Sequence, residues 1–203
     1  MNLLVDGPKD ARPALVLAHG AGAPMDSPFM QEIATRVAAE GVRVVRFEFP
    51  YMAARRTGSK RPPNREPVLR QAWLDVIEEL GGGDHVAIGG KSMGGRIASM
   101  VADEAGVRGL ACLGYPFHPA GQPDRLRTAH LEALRTPALF VQGERDPFGS
   151  RTEVEGYALS WSIRIEWLPD GDHSFKPRKA SGHTLDAHMR SAAAAVVAFV
   201  HSL

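Results

Sequence analysis

The chain has 203 residues, 44% hydrophobic and 23% charged, enough for one domain with a sizeable core. A formal net charge of +1 supplies no global field toward nucleic acid or an anionic membrane, so neither is expected as a partner. Cys112 is the only cysteine, which excludes an intrachain disulfide. No basic segment followed by an apolar core stands at Met1 to Pro8, and no apolar run is long enough to span a bilayer, so a cytoplasmic protein without signal peptide is expected.

Short apolar runs alternate with amphipathic stretches. Ala14-Leu15-Val16-Leu17-Ala18 reads as a buried strand. Ser27 to Gly41 reads as a helix with Phe29, Ile33, Val37 and Ala38 on one face, Ser27 as N-cap, Pro28 in the first turn and Gly41 as the stop. Residues 42–47 form the next strand. Met52 to Pro67, with Arg55, Arg56, Lys60, Arg61 and Arg65 among prolines and glycines, reads as a long loop. Glu66 to Leu80 is a helix with Leu69, Trp73, Val76, Ile77 and Leu80 at helical spacing. A strand over 85–89 leads to a glycine-rich turn and a helix from Gly95 to Ala105. Strands follow at 109–114 and 138–142, then a short helix from Glu153 to Leu159 and a last strand over 163–168. Thr184 to His201 is a long terminal helix with Leu185, Met189, Val196, Val197 and Val200 facing inward.

Strands alternating with helices predict an α/β fold: one domain over residues 1–203, with a mainly parallel, doubly wound sheet and helices on both faces. Ligand sites in such sheets collect at the carboxyl ends of the strands.

One of those ends carries Gly89-Gly90-Lys91-Ser92-Met93-Gly94-Gly95. A serine in Gly-x-Ser-x-Gly, on a sharp strand-to-helix turn, projects its hydroxyl out of the backbone, as in the nucleophile elbow of an α/β-hydrolase. Serine is a poor nucleophile at neutral pH. It needs a base, and the base needs a carboxylate to fix its tautomer. The chain order Ser, Asp, His then selects Ser92, Asp146 and His173, each just past a strand. The expected roles are Ser92 as nucleophile, His173 as general base then acid, and Asp146 as the orienting carboxylate. Donors to the developing oxyanion are expected from the backbone N–H of Met93 and from the loop His19-Gly20-Ala21-Gly22-Ala23. Ala21 is favoured there, with Gly20 or Gly22 as alternatives.

His19, Gly20, Gly22, Tyr115 and His118 are candidate substrate-pocket residues. No cofactor and no metal is expected: His183 and His188, which flank Asp186, are five residues apart, not the four that put two imidazoles on one helical face. The basic stretch from Arg55 to Arg65 reads as a solvated loop, with an anion clamp as the alternative. Cys112 reads as a small buried hydrophobe.

The segments Leu17-Ala18-His19-Gly20-Ala21-Gly22, Phe49-Pro50-Tyr51-Met52, Gly90 to Gly95, Gly114 to His118 and Gln142 to Gly149 together resemble the small lidless α/β-hydrolases of the KANL3/Tex30-like, dienelactone-hydrolase-like group. The resemblance implies the doubly wound hydrolase core and supports the trio Ser92, Asp146 and His173. The chain is shorter than many α/β-hydrolases, so no inserted cap domain is expected, and one or two of the first antiparallel strands are expected to be lost. It does not imply dienelactone hydrolysis, which uses a cysteine nucleophile. The expected activity is cleavage of a small-molecule carboxylic ester or thioester through an acyl-enzyme. The alternatives are a non-catalytic interaction module on the same scaffold, and a peptidase or other acyl-transfer enzyme using the same trio.

Overall fold

The computed structural model describes residues 2–58 and 60–203. Seven strands form one sheet: β1 (Leu3–Asp6), β2 (Ala14–Ala18), β3 (Val44–Phe47), β4 (Val86–Lys91), β5 (Gly109–Leu113), β6 (Ala138–Gly143) and β7 (Ile163–Leu168). Their order is β1-β3-β2-β4-β5-β6-β7, with only β1 antiparallel to its neighbour. The helices are α1 (Pro28–Ala39), α2 (Pro50–Arg56), α3 (Glu66–Glu79), α4 (Met93–Val101), α5 (Arg151–Val154) and α6 (Leu185–His201).

The central strands are apolar on both sides because helices cover both faces. Side chains alternate across the strand, so Val16, Ile88, Leu110 and Phe140 pack with Trp73 and Val76 of α3 and Ile97 and Val101 of α4. Leu15, Leu17, Ala87, Ala111, Leu139 and Val141 face the other way, onto Ile33 and Val37 of α1 and Met189, Ala192 and Val196 of α6. Among the described residues no inserted domain interrupts this framework.

The chain runs from β2 outward to β3, then returns to place β4 on the other side of β2. The connections after β2 and β4 therefore diverge at their carboxyl ends, which opens a crevice there.

Three expectations are corrected. The segment 52–67 is not all loop. Pro50 fixes the first turn of α2, which runs through Arg56 and buries Tyr51 and Met52. Arg56 is not free in solvent: its guanidinium bonds the buried Glu48 at 2.7 and 2.8 Å and Asp26 at 2.8 Å. Arg55 donates to the Arg61 carbonyl and lies over the Tyr51 ring. Leu185 does not face inward. It is the first residue of α6, before the helix reaches the sheet, and is 42% exposed.

One strand, β1, has no counterpart in the sequence reading. It is held by an ion pair: Arg46 of β3, 2% exposed, bonds Asp6 at 2.8 Å and the Met25 carbonyl at 3.0 Å. Removing the carboxylate leaves a buried cation uncompensated. Asp6→Ala is expected to cost about 3 kcal/mol in urea unfolding, and a loss below about 1 kcal/mol would show that the pair is dispensable.

Candidate active site

Ser92 is the junction between β4 and α4. Its backbone sits at φ 51° and ψ −116°, a region that L-residues with a Cβ rarely occupy. The turn holds that shape because the chain on either side lies against the end of β2. A Cβ on Gly90 would stand 2.1 Å from the Ala18 carbonyl oxygen, and one on Gly94 would stand 2.4 Å from it. No residue with a side chain fits either position without moving β2.

The other two members arrive from β6 and β7. Just past β6, Glu144 accepts the Asp170 N–H through its side chain at 3.0 Å, and the Arg145 N–H donates to Gly171 at 2.8 Å. These bonds join the two loops. Asp172 shapes the second loop by accepting the N–H groups of Ser174 and Lys176 at 2.8 and 3.0 Å. The result is a continuous relay: His173 Nδ1 lies 2.7 Å from Asp146 Oδ2, and His173 Nε2 lies 2.9 Å from Ser92 Oγ.

Asp146 is fully buried and acceptor-only when ionised, so its remaining lone pairs need donors. The Phe148 N–H donates to Oδ1 at 2.8 Å, and the Gln142 amide donates to Oδ2 at 3.0 Å. Gln142 is itself buried, and its Oε1 accepts the Tyr115 N–H at 2.7 Å. Sequence reading missed Gln142. Its only advance signal was a polar side chain inside an apolar strand.

His19 is buried. Its Nε2 accepts the Phe49 N–H at 3.2 Å, which leaves Nδ1–H to donate to the Gly20 carbonyl at 2.7 Å. This is the neutral tautomer, in keeping with burial, which lowers the affinity of this imidazole for a second proton. The Tyr51 hydroxyl donates to the Ala21 carbonyl at 2.9 Å. Both bonds fix the loop after β2.

Two grooves meet at Ser92. One, about 320 Å³, runs past Gly20, Gly22, Phe29, Lys91 and His173. The other, about 370 Å³, runs past Asn64, Met93, Arg96, Arg127 and Phe148. Ala21 borders both. Tyr115 and His118, expected at the pocket, turn away from it: Tyr115 is buried and stacks on Phe140, and His118 is buried with Nε2 3.6 Å from Glu153. Pro116 between them lines the groove instead. Cys112 is buried in β5, where desolvation raises its thiol pKa. His188 Nδ1 lies 2.7 Å from the Phe175 carbonyl, while Asp186 is engaged by Arg36 and Arg190.

The fold and this constellation define an α/β hydrolase architecture. The chain belongs to the alpha/beta hydrolase domain family, whose model matches residues 11–201. Solved structures with the same fold include an alpha-beta serine hydrolase homologue from Coxiella burnetii, 17% identical, with TM-score 0.71 over 97% of this chain and 89% of that one. A lidless serine hydrolase from Xanthomonas campestris is 18% identical, with TM-score 0.71 over 98% and 88% of the two chains. An esterase domain from Rhodothermus marinus is 17% identical, with TM-score 0.67 over 98% and 91%.

Lys91, beside the serine, is buried and donates to the His173 carbonyl at 2.5 Å, with its ammonium near the Phe29 and Phe175 rings. Burial pushes its pKa down from 10.5 to about 8, against the opposing pull of Asp146 and Asp172. Between those two values the unfolded chain keeps a proton that the folded protein has released, so stability rises with pH in that window. Wild type is expected to gain up to about 3 kcal/mol over Lys91→Met between pH 7.5 and 10.5 in urea unfolding. Parallel pH profiles for the two proteins would contradict this.

Proposed function

We propose that the protein is a serine hydrolase that cleaves a small carboxylic ester or thioester, acting as a single cytoplasmic domain without a cofactor, and that within its family it stands with the KANL3/Tex30-like group. The observation that carries the reading is the hydrogen-bonded series Asp146–His173–Ser92, at 2.7 and 2.9 Å, with the serine held in a left-handed turn. The cytoplasmic expectation rests on composition. Among the described residues no helix is long and apolar enough to cross a membrane.

In the first half-reaction, Ser92 Oγ attacks the acyl carbon as its proton passes to His173 Nε2. Asp146, fixed by Gln142 and Phe148, holds Nδ1–H in place and stabilises the imidazolium. The tetrahedral oxyanion is met by two N–H groups. Met93 begins α4, so its N–H has no intrahelical acceptor. The Gly20 carbonyl is drawn to His19 Nδ1, and in a planar trans peptide the Ala21 N–H points the opposite way. Ala21 lines both grooves, which supports that N–H as the second donor. His173 then returns the proton to the leaving oxygen or sulfur as the acyl–heteroatom bond breaks. In the second half, water loses a proton to His173 and attacks the Ser92 ester. The free acid departs, and the proton goes back to Ser92.

On a 4-nitrophenyl ester, Ser92→Ala is expected to lower kcat by about 10⁴-fold or more, and Asp146→Asn by about 10³- to 10⁴-fold with little change in fold stability. Turnover by Ser92→Ala at the wild-type rate would remove this serine from the mechanism. Gln142→Leu, which deprives Asp146 of one donor, is expected to lower kcat about tenfold to a hundredfold with KM nearly unchanged. An effect confined to KM would contradict the positioning role.

A further inference from the structure

The two grooves at Ser92 differ in charge, and the difference points to the substrate. The His173 side is bordered by Gly20, Gly22, Ala23, Phe29 and Met30, and its one cation, Lys91, is spent on the His173 carbonyl. The other side gathers Asn64, Glu66, Arg96 and Arg127 around Ser92 and Met93. Glu66 is the only carboxylate there, and Arg96 already takes it at 3.0 Å. Asn64 uses its carbonyl oxygen on the Tyr51 N–H at 2.8 Å, so its amide donors remain.

Arg127 is the unusual member. Its backbone is anchored on both sides: its N–H donates to Phe117 at 2.7 Å, and its carbonyl accepts from the Tyr115 hydroxyl at 3.3 Å. The residue is partly exposed and borders the groove, and its guanidinium has no acceptor among the described residues. Desolvation, and then the neighbouring Arg96 charge, lower its hold on the proton. A second guanidinium atom in the same wall, Arg96 Nε, is buried without a partner. The Arg96 charge is already met by Glu66, whereas the Arg127 guanidinium borders the groove without a counter-charge, so an anion with planar acceptor geometry is the partner that would complete it.

Which end of the substrate carries that anion follows from proton transfer. His173 protonates the leaving group, so the leaving group sits in the groove that His173 lines. The groove without His173, which holds Met93 and both arginines, takes the acyl chain. We propose that the substrate is a half-ester or half-thioester of a short dicarboxylic acid, whose free carboxylate pairs with Arg127 beside Arg96 and Asn64. This rests on the serine-hydrolase reading above. The acyl–oxygen or acyl–sulfur bond is still the one broken. Water is consumed, and the products are the dicarboxylic acid and an alcohol or thiol.

The test compares kcat/KM for 4-nitrophenyl hemiglutarate and 4-nitrophenyl pentanoate on wild type and on Arg127→Gln and Arg127→Lys. Calorimetric titration of glutarate into Ser92→Ala, with and without Arg127→Gln, gives a readout independent of turnover. Wild type is expected to favour the hemiglutarate by about tenfold to a hundredfold, the range of one hydrogen bond between charged groups. That ratio should fall to about one in Arg127→Gln and recover in part in Arg127→Lys, and glutarate binding should be lost with Arg127. A wild-type ratio of one or below, or a preference that survives Arg127→Gln, would overturn the proposal. Failure to cleave either ester, with Arg127-dependent glutarate binding intact, would refute the hydrolase reading and uphold the anion pocket. Ester cleavage without charge preference or glutarate binding would do the reverse.

Discussion

The close approach of β4 and α4 to the end of β2 is the constraint on which the site depends. Ser92 occupies a left-handed conformation that costs roughly 1–3 kcal/mol for a residue with a side chain. The turn tolerates this because Gly90 and Gly94 let the backbone reach the Ala18 carbonyl, and because the Ser92 N–H is tied to Leu113 at 3.0 Å. The same contact brings the loop after β2 alongside the serine. One backbone packing event therefore places the Ser92 hydroxyl, the start of α4 and the Ala21 peptide together.

The remaining residues complete the site by removing freedom. Asp146 and His173 lie on loops that are bonded to each other through Glu144, Arg145 and Gly171. Gln142 and the Phe148 N–H occupy the carboxylate oxygens, so Asp146 has one geometry left for His173. Lys91 clamps the His173 carbonyl from the strand that carries the serine. Rigid positioning of this kind suits a reaction in which a proton moves twice along one line. Two grooves open from this crevice at Ser92, one lined mostly by apolar residues and one holding Arg96 and Arg127.

Most of the sheet and the relay residues were legible in the sequence because their signals are local. A continuous apolar run bounded by glycine, as in β2 or β5, reads as a buried strand. Gly-x-Ser-x-Gly after such a run identifies the elbow. The missed parts depend on distant partners. The strand β1 is half-buried at the sheet edge, and its key residue, Asp6, acquires meaning only through Arg46. The helix α2 hides in a segment whose arginines and glycines resemble a loop, until Glu48 and Asp26 pair with Arg56. Gln142, Lys91 and Arg127 look ordinary in sequence, because their significance lies in what surrounds them. Tyr115 and His118 show the opposite error: residues after a strand near the site, whose side chains the fold uses as core.

The most direct test of the central claim is mass spectrometry of the protein after exposure to a fluorophosphonate, with peptide mapping of the adduct. The account predicts one phosphonyl group per chain, on the Ser92 hydroxyl, formed far more slowly when His173 is replaced by alanine. An adduct on another residue, or labelling that is indifferent to His173, would contradict it.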